Sequence, residues 1–320
     1  MIRGLVIGKF MPIHQGHVAL IRFALEHCDQ LVVSMSYTQH DPIPADLRRG
    51  WIEEIFRDIP RVNVQVIHDD FDNESLPWPA RTKVWAEKLK STYGNFDRVF
   101  SSEPYGSFLA ANLNAEHFLF DVDRTKFPVS ATKVRNHPFS FWQFIPNPVR
   151  PFFAKKICFY GPESTGKSVL SKKMAERFQT EWVPEVAREM ITSNEFTIDD
   201  IIAIGNAQTQ RVLEKSKTAN RILICDTDLI TTQIYCRHYL GTVPEILYEL
   251  ERQVAYDLYF LFDIDVPWVN DGMRDLGSRR EEMFNVFKSE LEKRNIPFVL
   301  VRGTYEQREE RVVKEIEKLL

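Results

Sequence analysis

The stretch Ile157-Cys158-Phe159-Tyr160-Gly161-Pro162-Glu163-Ser164-Thr165-Gly166-Lys167-Ser168 decides the fold of the second half of the chain, and the rest can be read outward from it. Four apolar residues in succession fit a strand buried on both faces. They run into a Gly-x-x-x-x-Gly-Lys-Ser turn and then a helical pattern over 167–178. The two glycines let the backbone curl until its N–H groups face one point, where the helix N-terminus adds partial positive charge. Such a loop cradles a polyphosphate. Lys167 would reach the β- and γ-phosphates of a nucleotide such as ATP, and the Ser168 hydroxyl would take a place on Mg²⁺.

Phosphoryl transfer needs further groups, and the chain offers candidates for each. The apolar run 222–225 ends on Asp226-Thr227-Asp228, which brings carboxylates to the end of a neighbouring strand. Asp226 stands where a magnesium-binding carboxylate belongs, and either aspartate could take the proton of an acceptor hydroxyl. Asp228 would serve equally as the cap of a helix beginning near Leu229. Glu185 and Arg188 follow the apolar Trp182-Val183, so one short turn would present both to the acceptor, although a surface ion pair accounts for them nearly as well. The basic stretch from Trp268 through Asn270, Asp271 and Arg274 to Arg280 predicts a closing lid. Arg274 would stabilise the moving phosphoryl group, while Arg279 and Arg280 could decorate a helix start.

The chain begins in a similar way with different chemistry. A first strand over 4–7 runs into Gly8-Lys9-Phe10-Met11-Pro12-Ile13-His14-Gln15-Gly16-His17, ahead of a helix over 18–27. Two histidines three apart, a glycine between them and a lysine upstream converge on a helix N-terminus, which is again a polyphosphate site. Imidazoles donate to non-bridging oxygens and to a departing pyrophosphate, and Gly16 permits close approach. No protein nucleophile is needed if a substrate phosphate attacks the α-phosphorus in line. Zinc is disfavoured because no third ligand stands nearby. Val129-Ser130-Ala131-Thr132-Lys133-Val134-Arg135 adds two hydroxyls and two cations at a helix start, to meet the phosphates from the opposite side; alone, this pattern is an ordinary cap.

Further strands over 31–34, 62–67 and 98–101 alternate with helices over 45–58 and 80–91, and strands over 222–225, 258–262 and 298–301 alternate with helices after Asp228, over 280–294 and at the C-terminus. Alternation of this kind requires crossovers and predicts α/β architecture, with two doubly wound parallel sheets. The stretch 138–151 carries four prolines, which stop both element types and place a boundary between domains 1–150 and 151–320. Its Phe139, Phe141, Trp142 and Phe144 call for burial, so it is expected to pack across both domains in a fixed arrangement, and self-association into a homo-oligomer is left open. A length of 320 residues also fits two cores. The net charge of −4 gives no global pull toward DNA or anionic lipid, which favours small phosphorylated substrates. With no apolar stretch near the roughly 20 residues of a membrane helix and no leader, a cytoplasmic location is expected. Cys28, Cys158, Cys225 and Cys236 are read as reduced structural thiols.

The HxGH loop with SxTxxR resembles the nucleotidylyltransferase superfamily, and GxExTGKS, CDTDxxTT and PWVxDGMRxLGxR narrow the match. The whole chain resembles the bifunctional nicotinamide-nucleotide adenylyltransferase and ribosylnicotinamide kinase family, the NadR family. The resemblance implies a Rossmann-like nucleotidyltransferase domain followed by a P-loop kinase domain. The second would phosphorylate nicotinamide riboside with MgATP to nicotinamide mononucleotide. The first would join that product to AMP from a second ATP, giving NAD and pyrophosphate. Gly8, Lys9, Phe10, His14, His17, Ser130, Thr132 and Arg135 would then bind ATP or NAD. The loop 161–168, Asp226 and Arg274 would bind ATP, Mg²⁺ and the transferring phosphoryl. Glu185, Asp226 or Asp228 would hold the riboside 5′-hydroxyl, with Arg188, Trp268, Asn270 and Asp271 near the riboside. Some members of the family carry an N-terminal helix-turn-helix domain; this sequence begins three residues before its first strand, so DNA binding is not expected of it. Two rival readings stand beside this one: a first domain that serves mainly as an NAD-sensing regulatory module, and a nucleoside kinase fused to a different nucleotidyltransferase, since phosphate cradles do not identify the base they accompany.

Overall fold

The computed structural model describes residues 1–191, 195–268 and 276–320. Contacts divide the chain into two units, Met1–Val149 and Arg150–Leu320. In the first unit the elements run β1 (Arg3–Gly8), α1 (Gln15–Glu26), β2 (Gln30–Tyr37), α2 (Ala45–Phe56), β3 (Val62–His68), α3 (Trp78–Tyr93), β4 (Arg98–Ser101), α4 (Tyr105–Leu113), β5 (Glu116–Leu119) and α5 (Ala131–Asn136). The strands form one parallel sheet in the order β3-β2-β1-β4-β5. Strand order reverses at β1, and the loops after β1 and β4 therefore part, leaving a crevice at the carboxyl ends of the strands. Leu5, Val32 and Val99 from three adjacent strands meet Ala86, Leu89 and Leu109 from α3 and α4 in the core.

The second unit runs α6 (Arg150–Phe153), β6 (Lys155–Tyr160), α7 (Lys167–Arg177), β7 (Trp182–Val183), α8 (Ala187–Met190), α9 (Ile198–Ser216), β8 (Ile222–Asp226), α10 (Leu229–Leu240), α11 (Glu245–Glu251), β9 (Leu258–Phe262), α12 (Arg280–Lys293), β10 (Phe298–Val301) and α13 (Tyr305–Glu317). Its parallel sheet has the order β10-β9-β6-β8-β7, with β6 at the centre. Successive side chains on a strand point to opposite faces. Ile157, Phe159, Phe260 and Phe262 accordingly pack toward Met174, Val312 and Ile316, while Cys158, Tyr160, Tyr259 and Leu261 pack toward Ile234, Phe287 and Leu291. Both faces are covered, which is why these strands read as unbroken apolar runs; burying each large side chain contributes about 1.5–3 kcal/mol.

Each sheet has a fifth strand that the sequence reading did not contain. Both lie at an edge: β5 is half-exposed, and β7 is only two residues long. The 19-residue α9 was also missed, because it is polar along much of its length and interrupted by Gly205. That glycine has a packing reason, since a Cβ there would stand 2.6 Å from Leu247 Cδ2 on α11. The four cysteines are buried free thiols, and among the described residues no helix is long and apolar enough to cross a membrane.

Candidate active sites

The crevice of the first unit holds a cavity of about 410 Å³ lined at one end by Gly8, Lys9, His14, Gly16, His17, Ser130 and Thr132. The rings of His14 and His17 stack with centroids 3.8 Å apart. Burial, with Arg124 nearby, pushes His14 down to about 4, and burial and His14 push His17 well below the usual histidine range. Both imidazoles are therefore neutral near pH 7, each with one donor and one acceptor nitrogen. The His14 backbone N–H faces His17 Nδ1 at 3.4 Å, which favours the tautomer with the proton on Nε2. His14 Nδ1 is buried without a partner among the described residues. Gly16 leaves these rings room, for a Cβ there would stand 3.1 Å from His14. The Ser130 hydroxyl caps α5, accepting from Lys133 N at 3.2 Å.

Two residues expected at the nucleotide shape the loop instead of lining the cavity. Phe10 is buried at φ 44°, with its ring edge-on to His17 at 5.0 Å. Arg135 donates to the Met11 carbonyl and, at 3.3 Å, to Thr132 Oγ1. A third residue, missed in the sequence, holds the same loop. Arg48 is wholly buried on α2 and donates to the carbonyls of Lys9 at 2.5 Å, Ile43 at 3.0 Å and Ser36 at 3.3 Å, with Asp41 as its counter-ion at 2.6 Å. The far end of the cavity was missed as well. There Asp72 accepts from Arg81 Nε at 2.6 Å and from Trp85 Nε1 at 2.8 Å, beside Asp69, whose buried Oδ1 has no partner among the described residues. Burial and the neighbouring Asp72 raise the Asp69 carboxyl.

In the second unit two cavities share Lys167 and Arg188. One of about 510 Å³ follows the loop from Ser164 to Ser168 and reaches Tyr305 and Arg308; the other, about 140 Å³, is lined by Gly161, Glu163, Glu185, Gln208, Thr227 and Tyr235 among others. Lys167 is buried, which lowers its pKa, and its Nζ donates to the Pro162 carbonyl at 2.7 Å. Thr165 Oγ1 donates to the same carbonyl at 2.9 Å. Asp226 is 1% exposed, and its Oδ1 has no partner among the described residues. Burial first, and Glu185 second, push its carboxyl up to about 6, while a hydrogen bond with the Ser168 side chain opposes them. A hydroxyl joined to a carboxylate that keeps one oxygen open fits Mg²⁺, which binds one or two protein oxygens and completes its shell with water and substrate phosphate. Among the described residues no group of three His, Cys, Asp or Glu could hold a metal by itself, which is compatible with that mode.

Asp228 takes the second of its two expected roles, the cap of α10. Its Oδ1 accepts from Thr231 N at 3.0 Å and Thr231 Oγ1 at 3.1 Å, and its Oδ2 accepts from Tyr259 OH at 2.9 Å. Both oxygens are occupied in capping α10 and bracing β9, and the residue lines neither cavity. Glu185 and Arg188 form an ion pair at 2.7 Å at the wall of the smaller cavity. Glu163 accepts from Leu276 N at 3.2 Å. Trp268 is half-buried beneath the Arg280 guanidinium at 5.6 Å, and Arg280 donates to the carbonyls of Val266 at 2.9 Å and Ser164 at 3.3 Å, so it braces the phosphate loop. Arg279 pairs with Glu282 at the surface. Asn270, Asp271 and Arg274 lie outside the described residues. Arg308, which carries no motif in the sequence, is 1% exposed and donates to the carbonyls of Thr165 at 2.8 Å, Gly303 at 3.0 Å and Asp263 at 3.0 Å, with the Asp265 carboxylate beside it.

A phosphate loop after the central strand of each doubly wound sheet, imidazole-lined in one unit and lysine-bearing in the other, defines a nucleotidyltransferase joined to a P-loop kinase. Family models agree: a cytidylyltransferase-like model matches residues 5–137 and an AAA domain model residues 156–308. The chain is 31% identical to the trifunctional NAD biosynthesis/regulator protein NadR of Escherichia coli strain K12, across 99% of this chain and 83% of that protein. A nicotinamide-nucleotide adenylyltransferase of Haloarcula marismortui is 29% identical over 32% of this chain and 53% of its own. Crystal structures of a NadR protein in complex with NR, and in complex with NAD and AMP-PNP, share the fold with TM-scores of 0.82 and 0.80 at 20% identity, covering 99% of this chain and 95% and 96% of theirs. The chain belongs to the NadR family.

Proposed function

We propose that the unit ending near residue 150 is a nicotinamide-nucleotide adenylyltransferase and the unit beyond it a ribosylnicotinamide kinase, acting in sequence from nicotinamide riboside to NAD. One observation carries the reading: the two phosphate loops face their cavities with different electrostatics, stacked neutral imidazoles in one, a buried lysine and a Ser168–Asp226 pair in the other. The relatives' own names and bound molecules, NAD biosynthesis, adenylyl transfer, NR, NAD and AMP-PNP, point the same way.

In the kinase, Ser168 and Asp226 would hold Mg²⁺, which supplies charge neutralisation at the phosphates when bound. Lys167 binds the β- and γ-phosphates. Glu185, at the acceptor wall, takes the proton of the 5′-hydroxyl as the bond from that oxygen to the γ-phosphorus forms and the bond to the β,γ-bridging oxygen breaks. In the adenylyltransferase the mononucleotide phosphate attacks the α-phosphorus of ATP and pyrophosphate leaves, with no covalent enzyme intermediate. Lys9, His14, His17, Ser130 and Thr132 orient the phosphates and meet the charge that builds on the leaving group. Small-molecule substrates and four free buried thiols fit a reducing, cytoplasmic setting.

The test is incubation of purified protein with nicotinamide riboside, ATP and Mg²⁺, alongside a panel of other nucleosides, followed by chromatography. The reading predicts nicotinamide mononucleotide and then NAD. Phosphorylation of another nucleoside in preference to nicotinamide riboside would overturn the substrate assignment.

A further inference from the structure

Gln208 lies on α9 at the wall of the smaller cavity of the second unit and is 2% exposed. Its Oε1 accepts from the Val186 backbone N–H at 3.0 Å, and this contact settles which end of the amide is oxygen. Nε2 is then a fixed donor, and it is buried with no acceptor among the described residues. A buried donor left unmatched is unfavourable, and a ligand oxygen in reach would relieve it. A second observation points to the same place, since Thr227 Oγ1 on the cavity wall is also buried without a partner among the described residues.

The cavity is graded in polarity. Lys167 and Glu185 mark a polar end, and Phe196, Ile201 and Ile204 an apolar one. At about 1.5 Å per helical residue, Gln208 stands about 6 Å along the axis from Ile204 and about 10 Å from Ile201. It is level with Val186, next in sequence to Glu185, and so belongs to the polar end. A riboside has the same grading, with hydroxyls on its sugar and a flat ring at its base.

We infer that Gln208 is a substrate-binding residue of the phosphorylation site, donating from Nε2 to a hydroxyl oxygen of the acceptor's ribose and selecting acceptors that present one there. The inference rests on the kinase reading above. Two variants of the full chain separate binding from a merely structural role. Gln208→Glu, assayed in alkaline buffer where the new carboxyl is ionised, keeps an oxygen for Val186 N–H and removes the donor; Gln208→Met removes both. With nicotinamide riboside and MgATP, both should raise the riboside KM about tenfold or more, with the KM for ATP changed less than about twofold. Gln208→Glu buries a carboxyl and should lower the second unit's thermal midpoint, so KM is read well below that transition, and adenylyl transfer should be unaffected in both. A parent-like riboside KM in Gln208→Glu would overturn the inference and leave Gln208 as a prop for Val186. Failure of the parent protein to phosphorylate the riboside would instead count against the kinase reading itself.

Discussion

In the first unit the loop after β1 presents two stacked imidazoles held neutral by burial; in the second the loop after β6 presents a buried lysine, with Asp226, bonded to the Ser168 side chain, at the end of the neighbouring strand. The backbones solve the same problem in the same way. Each loop leaves the central strand of a five-stranded parallel sheet, enters a helix, and is tied from outside by one fully buried arginine, Arg48 to the Lys9 carbonyl and Arg308 to the Thr165 carbonyl. What differs is the charge facing the phosphates. Adenylyl transfer asks only for donors that follow the leaving pyrophosphate, and neutral imidazoles suffice. Phosphorylation of a hydroxyl also needs a cation-binding carboxylate beside the phosphate loop and a proton acceptor at the acceptor wall, and in the second unit Asp226, bonded to Ser168, and Glu185 stand in those places.

The shared part of the comparison can be broken by removing the arginines. Arg48→Met leaves the Asp41 carboxylate and three carbonyls without their donor in a buried site, for an expected loss of about 3–5 kcal/mol. Arg308→Met should cost less, because its counter-ion Asp265 is 36% exposed and regains water. Calorimetry should show each variant lowering the transition of its own unit. Parent-like transitions would mean that the buried arginines do not hold the loops.

The contrasting part predicts opposite responses to acid. His14 titrates near 6.5 when unfolded and near 4 when folded, so between those values the unfolded chain binds more protons. The first unit therefore loses stability as pH falls from about 6.5 toward 4, by up to about 3 kcal/mol from this residue. Asp226 and Asp228 are raised from 3.8 to about 6, so the folded second unit binds more protons in that window. Their contribution is present below about 4 and is lost as pH rises through 6. Moving from pH 7 to pH 5 should lower the first unit's midpoint and raise the second's, and added Mg²⁺ should blunt the second shift by favouring ionised Asp226. Midpoints that move together would contradict the contrast.

The sequence made the centre of each unit legible and its periphery not. Central strands such as β6 and β8 are continuous apolar runs because both of their faces are covered, and the phosphate loops carry glycines and polar residues at spacings that the chemistry requires. Edge strands β5 and β7 are short and partly solvated, so their residues carry no comparable pattern. Arg48 and Arg308 sit in helices where arginine ordinarily faces water, and only the fold shows that each is enclosed by carbonyls. The wall formed by Asp69, Asp72, Arg81 and Trp85 comes from the segment after β3 and from α3, and nothing in its spacing signals convergence. Asp228 left two roles open in the sequence, proton acceptor and helix cap, and its three hydrogen bonds place it in the second.

The central claim is that two sites of different chemistry carry consecutive reactions, and it is tested most directly by feeding nicotinamide riboside, ATP and Mg²⁺ to Lys167→Ala and His17→Ala, separately and mixed. Lys167→Ala should form no mononucleotide yet convert supplied mononucleotide to NAD, and His17→Ala should stop at the mononucleotide, each loss being roughly 10²-fold or more. The mixture should restore NAD formation. Loss of both steps from either single substitution, in protein that remains folded, would contradict the account.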